Sequence, residues 1–248
     1  MKYLVTAVLL FMSGCATTSV SPPVDKAKMA EGYYLKGISH FQGKNYEMAS
    51  VEFNRTIQTD DSYKQSYYML GYINEEQGRL DEAVKYFKEA IDRDEKYSEA
   101  YNALGTVYSK QQKWKDALQS FKKALDNKLY PTPHIPYLNM GRMYMEQKDY
   151  EKAVSAYREA KRYVKQDFII YEFGMALLEA GRTKDALVEF QDGVALAPQN
   201  AGLWYGLALA HVKDGNKKAA VTEFKKASAL APGSDIAQKS NDYIKTLR

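Results

Sequence analysis

Residues 80–92, Leu80-Asp81-Glu82-Ala83-Val84-Lys85-Tyr86-Phe87-Lys88-Glu89-Ala90-Ile91-Asp92, decide the fold. Leu80, Ala83, Val84, Phe87, Ala90 and Ile91 recur at steps of three and four, which gathers them on one face of a helix. Lys85, Lys88, Glu89 and Asp92 fall off that face and meet water. Working outward, a small residue, Gly71, stands twelve positions before Ala83. The same succession then recurs along the chain. Small residues fall at Gly37, Gly71, Gly105, Gly141, Gly174 and Ala208, with spacings of 34, 34, 36, 33 and 34. Alanines follow at Ala49, Ala83, Ala117, Ala153, Ala186 and Ala220, and aromatics at Phe53, Phe87, Phe121, Tyr157, Phe190 and Phe224. A second small column is Thr56, Ala90, Ala124, Ala160, Gly193 and Ala227. Six copies of one pattern define a structural repeat. Small residues at a helix crossing let two backbones approach, and the aromatic fills the space between turns. Breakers such as Gly78 and Gly181 mark the turns between paired helices.

This pattern resembles the tetratricopeptide repeat, a helix-turn-helix of about 34 residues. Tyr33, Tyr67, Tyr101, Tyr137 and Trp204 hold its opening aromatic position, with Ile170 in the fifth copy, and Pro198 and Pro232 its closing proline. The resemblance implies an all-α, right-handed superhelical solenoid of six units over residues 30–234: 30–63, 64–97, 98–133, 134–166, 167–200 and 201–234. A stack of repeats leaves an apolar end that needs a cover. Residues 235–248 are expected to supply it as a capping helix, with Ile236, Ser240, Tyr243, Ile244 and Leu247 facing in.

The amino-terminal segment has a different logic. Lys2, an apolar run from Leu4 to Met12, and Ser13-Gly14 before Cys15 have the layout of a secretory signal, and the run is too short to span a bilayer. Met12-Ser13-Gly14-Cys15 resembles the lipobox of bacterial lipoproteins. That likeness implies a signal peptide over 1–14, a lipid on Cys15, and, because Ala16 is not Asp, an outer-membrane location facing the periplasm. Residues 15–29, polar and bearing Pro22-Pro23, are expected to form a flexible tether.

Composition narrows the function. The chain has 248 residues, and 35 basic against 31 acidic side chains give a net charge of +4. These charges are interspersed, which argues against a nucleic-acid surface. One cysteine excludes an internal disulfide. His40, His134 and His211 lie in different copies without a second ligand at a metal spacing, and no phosphate loop or nucleophile elbow is present. The expectation is a non-enzymatic protein with no cofactor beyond the covalent lipid and no small-molecule substrate.

In the tetratricopeptide fold the first helix of each repeat lines a concave face. The resemblance places there Tyr34, Ile38 and Phe41; Tyr68, Tyr72 and Glu75; Asn102, Thr106 and Ser109; Leu138, Arg142 and Met145; Tyr171, Met175 and Leu178; and Tyr205, Leu209 and Val212. Most are large and apolar, so this face is a candidate surface for an apolar peptide or helix, divided by the polar third copy. The alternative is that the solenoid buries these side chains against itself. On the first reading, replacing Tyr68 and Tyr72 together by Ala abolishes partner capture and leaves melting unchanged.

Between copies three and four, Leu129-Tyr130-Pro131-Thr132-Pro133-His134-Ile135-Pro136 adds two residues and three prolines. It is either a stiff spacer or a corner that touches a partner. With the lipidated terminus and six repeats, Leu129-Tyr130-Pro131 makes the chain similar to the pilotin lipoproteins of type IV pilus biogenesis, the PilF/PilW kind. That similarity implies binding of outer-membrane secretin subunits and help in their localisation and multimerisation. Adaptors of peptidoglycan hydrolases or synthases and accessory lipoproteins of polysaccharide export are the alternatives.

Overall fold

Apolar stripes at helical spacing fold as helices along the whole of residues 25–247, the part of the chain that the computed structural model describes. Thirteen helices follow one another, with no strand among the described residues. They are α1 (Lys26–Gln42), α2 (Tyr46–Thr59), α3 (Lys64–Glu76), α4 (Leu80–Arg93), α5 (Ser98–Lys110), α6 (Trp114–Asp126), α7 (His134–Glu146), α8 (Tyr150–Tyr163), α9 (Asp167–Glu179), α10 (Thr183–Leu196), α11 (Ala201–Lys213), α12 (Lys217–Leu230) and α13 (Asp235–Leu247). Odd and even helices pair, each pair packs on the next, and α13 lies against α12 and α11. The result is a solenoid of consecutive helix pairs.

The amphipathic stretch 80–92 forms α4, with Ala83, Phe87 and Ala90 fully buried. Its counterparts behave alike: Phe53, Phe87, Phe121, Phe190 and Phe224 are sealed from solvent, and so are all six alanines of the preceding column. At Gly37, Gly71, Gly105, Gly141 and Gly174 the facing aromatic ring fills the space that a Cβ would need. A methyl group built on Gly71 would come within 2.7 Å of the Phe87 ring, and one on Gly141 within 2.5 Å of Tyr157. Glycine there sets the helix separation.

Within each pair the turn ends in one left-handed residue: Lys44, Gly78, Gln112, Lys148, Gly181 and Gly215. Second helices start just beyond it, and Asn45, Asp149 and Asn216 cap theirs by accepting from the backbone N–H groups of Met48, Lys152 and Ala219.

Two segments differ from expectation. α1 begins at Lys26, four residues before the expected start of the array, because Asp25 accepts from the Lys28 backbone N–H and caps the helix there. The tether expected over 15–29 is thus helical from Lys26 onward; residues 1–24, which include the expected signal segment and Cys15, lie outside the described residues. In α13 the buried stripe is Ala237, Ser240 and Ile244, whereas Tyr243 is 36% exposed. Tyr243 instead lays one ring face on Phe224, with centroids 4.8 Å apart and planes at 6°.

Candidate protein-binding face

First helices of successive repeats touch one another, α3 with α5, α5 with α7 and α9 with α11. Side chains pointing from them into this shared side line one continuous face, and the second helices stand behind. The amino-terminal sector of this face is aromatic. Tyr34, Ile38 and Phe41 are half-buried and rest on the cluster of Ala49, Phe53, Leu70 and Ile73. The Tyr34 ring lies 5.7 Å from Phe53 and 5.1 Å from Tyr63, and Phe41 lies 5.6 Å from Tyr72. Tyr68 packs 5.7 Å from Phe87 and 5.5 Å from Tyr97. Burial pushes the Tyr68 phenol up to about 12. Removing Tyr68 would therefore cost packing as well as surface, which corrects the expectation that its loss leaves melting unchanged. Tyr72 retains an accessible ring.

The middle of the face is polar. Asn139 donates from Nδ2 to the Asn102 side-chain oxygen at 3.1 Å and to the Thr106 hydroxyl at 3.4 Å. Arg142 is exposed but engaged, its Nε lying 3.1 and 3.0 Å from the two carboxylate oxygens of Glu172. It is a structural tie between α7 and α9, with no free charge to clamp a terminal carboxylate. Glu75 is buried and paired with Lys110 at 2.9 Å.

The carboxy-terminal sector holds Met145, Tyr171, Met175, Tyr205, Leu209 and Val212, all half-buried. Tyr171 lies 6.3 Å from Phe190, and Tyr205 lies 5.6 Å from Phe224. Burial pushes the Tyr205 phenol up to about 12.

Two expected contact residues are withdrawn from this face. Leu138 and Leu178 are 5% and 2% exposed and belong to the large core cluster of Ile170, Phe173 and Leu177. For Leu178 the reason is that α9 is packed by α8, α10 and α11 together. A helix enclosed on several sides is apolar nearly all round, and repeat position ceases to distinguish surface from core.

Other residues joined the face unexpectedly. Tyr63 and Tyr97 stand in the turns before α3 and α5 and pack onto Tyr34 and Tyr68. Tyr130 follows 33 residues after Tyr97, in the proline-rich insertion, and is only 6% exposed, whereas its neighbour Leu129 is 90% exposed. Tyr130 thus turns its ring inward from the insertion, and it and Glu99 both oppose ionisation of Tyr68. The signal was present in the sequence as a second tyrosine column at the repeat period. Asn127 ties the insertion down, donating from Nδ2 to the Lys96 carbonyl at 3.3 Å.

Chemically this face offers aromatic rings, aliphatic side chains and neutral hydroxyls. No group of three or more His, Cys, Asp or Glu side chains among the described residues could hold a metal ion. Clefts also lie outside this face. One of about 590 Å³ runs along α2 and the α3–α4 turn, between Tyr46, Asn54, Arg55 and Arg79.

Paired helices stacked in one direction, with an aromatic face along their first helices, define a helical-repeat scaffold. Models of the tetratricopeptide repeat match residues 64–97, 102–167 and 177–240, together the greater part of the chain. The chain belongs to the tetratricopeptide repeat proteins, whose repeats build surfaces for holding other proteins. A search of curated proteins finds no match. Among solved structures it is similar in fold to PilW, a widely conserved type IV pilus biogenesis factor, with a TM-score of 0.73 and 19% identity over 86% of this chain and 98% of that one. Pseudomonas aeruginosa PilF gives 0.72 and 18% over 88% and 98%. YrrB, a repeat protein with an unusual peptide-binding site, gives 0.60 and 20% over 77% and 97%.

Proposed function

We propose that this protein is a lipid-anchored, non-enzymatic scaffold of type IV pilus biogenesis that holds subunits of an outer-membrane secretin on its concave face and assists their localisation and multimerisation. The observation that carries this reading is the end-to-end likeness in fold to PilW and PilF, each matched over 98% of its own length. Agreement over a whole array is more specific than agreement over two or three units. The lipobox at Met12–Cys15 and the Leu129-Tyr130-Pro131 corner support the same assignment.

The face suits the task. Its two sectors, around Tyr72 and around Met175, present apolar area flanked by hydroxyls, and such surface binds an apolar segment by excluding water. The polar belt of Asn102, Asn139 and the Arg142–Glu172 pair separates them, so a partner segment meets two contact regions.

Deletion of the gene followed by immunoblotting for heat-resistant secretin multimers tests the proposal. Loss of multimers, or their accumulation in the inner membrane, is the expected result. Normal multimers in the outer membrane would reject the pilotin role and leave wall-enzyme adaptors and polysaccharide export as the readings to pursue.

A further inference from the structure

Charge is mixed on every second helix except the last. Glu47 on α2, Asp81 and Glu82 on α4, Asp116 on α6, Glu151 on α8 and Asp185 on α10 are all exposed acids among the basic residues of those helices. On α12 the exposed ionisable residues are Lys217, Lys218, Lys225 and Lys226 alone. Its one acid, Glu223, turns inward, with its side chain 14% exposed and 3.4 Å from the ring of His211 on α11. None of the four lysines has an ion-pair partner among the described residues. The acids of α13 are already used, Asp235 by Lys239 and Asp242 by Lys245, and Lys213 faces Glu179. Asp214 in the preceding turn is the one exposed acid close by in sequence.

Among the described residues α12 packs chiefly on α11 and α13, which leaves its lysines in solvent. At 1.5 Å per residue, the lysines spread over roughly 13 Å of helix axis. Such a face is too broad for one discrete anion and matches an extended negative surface. A nucleic acid would also be extended and negative, but the lipid anchor proposed above sets the chain against phospholipid.

We infer that the lysine face of α12 seats the carboxy-terminal repeat on a surface of anionic phospholipid, giving the protein a second, electrostatic contact with the membrane. This rests on the proposed lipid anchor, which brings the chain to that surface. A lipid chain and a basic patch are complementary signals: the first sets attachment and the second sets orientation. The solenoid then lies along the membrane with its last second helix down.

The test uses the full acylated chain reconstituted in vesicles of phosphatidylethanolamine with phosphatidylglycerol, and in vesicles of phosphatidylcholine alone. Flotation is measured first, and then the rate at which each lysine is acetylated by a soluble reagent. The inference predicts flotation with both vesicles. It also predicts acetylation of Lys217, Lys218, Lys225 and Lys226 at least threefold slower on the anionic vesicles, with the difference erased by 0.5 M salt, while Lys85 and Lys88 react equally on both. Flotation with equal acetylation of the four lysines would overturn the lysine contact and leave the anchor standing. No flotation with either vesicle would overturn the anchor, and the inference with it. Protection in native envelopes but in neither vesicle would assign the face to an acidic protein and overturn the lipid assignment.

Discussion

At Gly71 the space for a side chain is already taken by Phe87, whose ring would lie 2.7 Å from an added methyl group. Both residues are buried, so an added group cannot be relieved by moving into solvent. Gly71→Ala is expected to destabilise the protein by about 1–3 kcal/mol, the usual range for overpacking, measured by chemical denaturation. A second residue-scale effect concerns Glu223. Burial pushes its carboxyl up to about 7 from the usual 4.5. The folded state thus holds this proton more tightly than the unfolded chain does, so the stabilisation is complete below pH 4.5 and is lost as pH rises through about 7. Between pH 5 and 8 this group should remove roughly 1–2 kcal/mol after allowance for solvent screening. Thermal melting at several pH values checks this, and Glu223→Gln should flatten the trend.

Helices and turns carry their own consequences. Lys44, Gln112 and Lys148 adopt φ of 57°, 57° and 59° at the turn position that Gly78, Gly181 and Gly215 fill elsewhere. All three are exposed, so their side chains contribute little packing there. A left-handed conformation costs a residue with a Cβ about 1–2 kcal/mol, part of which glycine returns through its freer unfolded chain. Each of Lys44→Gly, Gln112→Gly and Lys148→Gly should therefore stabilise by about 0.5–1 kcal/mol, and denaturant titration of the three variants measures it. The capping helix α13 should matter more. Its Tyr243 covers Phe224 and Tyr205, and Ile244 joins Ala208 and Ala220 in the terminal cluster, so residues 235–248 close the stack as expected. A chain lacking them exposes an apolar end of the stack. It should lose amide-exchange protection first in α12 and α11, with the amino-terminal repeats unaffected.

At the scale of the molecule, the fold was legible because its cause is periodic. Gly71, Ala83 and Phe87 each do one mechanical job at a helix crossing, and a job repeated six times leaves columns that survive changes elsewhere. The binding face was legible only in outline, because accessibility depends on neighbours that no single repeat specifies. Leu178 sits at a concave position but is enclosed by the helices around α9, and Arg142 is tied to Glu172 on the next first helix. Tyr130 continues the column of Tyr63 and Tyr97, which stands in the turns between repeats, so a reading confined to first-helix positions passes over it. The same geometry selects the side chains whose change harms the scaffold least: Tyr72 and Met175, one in each apolar sector, are half-buried and rest on the clusters that hold Phe87 and Phe190 without being sealed inside them. Titration of the purified protein against purified secretin subunits, for the native chain and for Tyr72→Ala/Met175→Ala, tests the central claim. The account predicts at least a roughly tenfold loss of affinity, as when contact-forming anchors are truncated, with melting shifted by no more than a few degrees. Unchanged affinity in a folded double variant would contradict it.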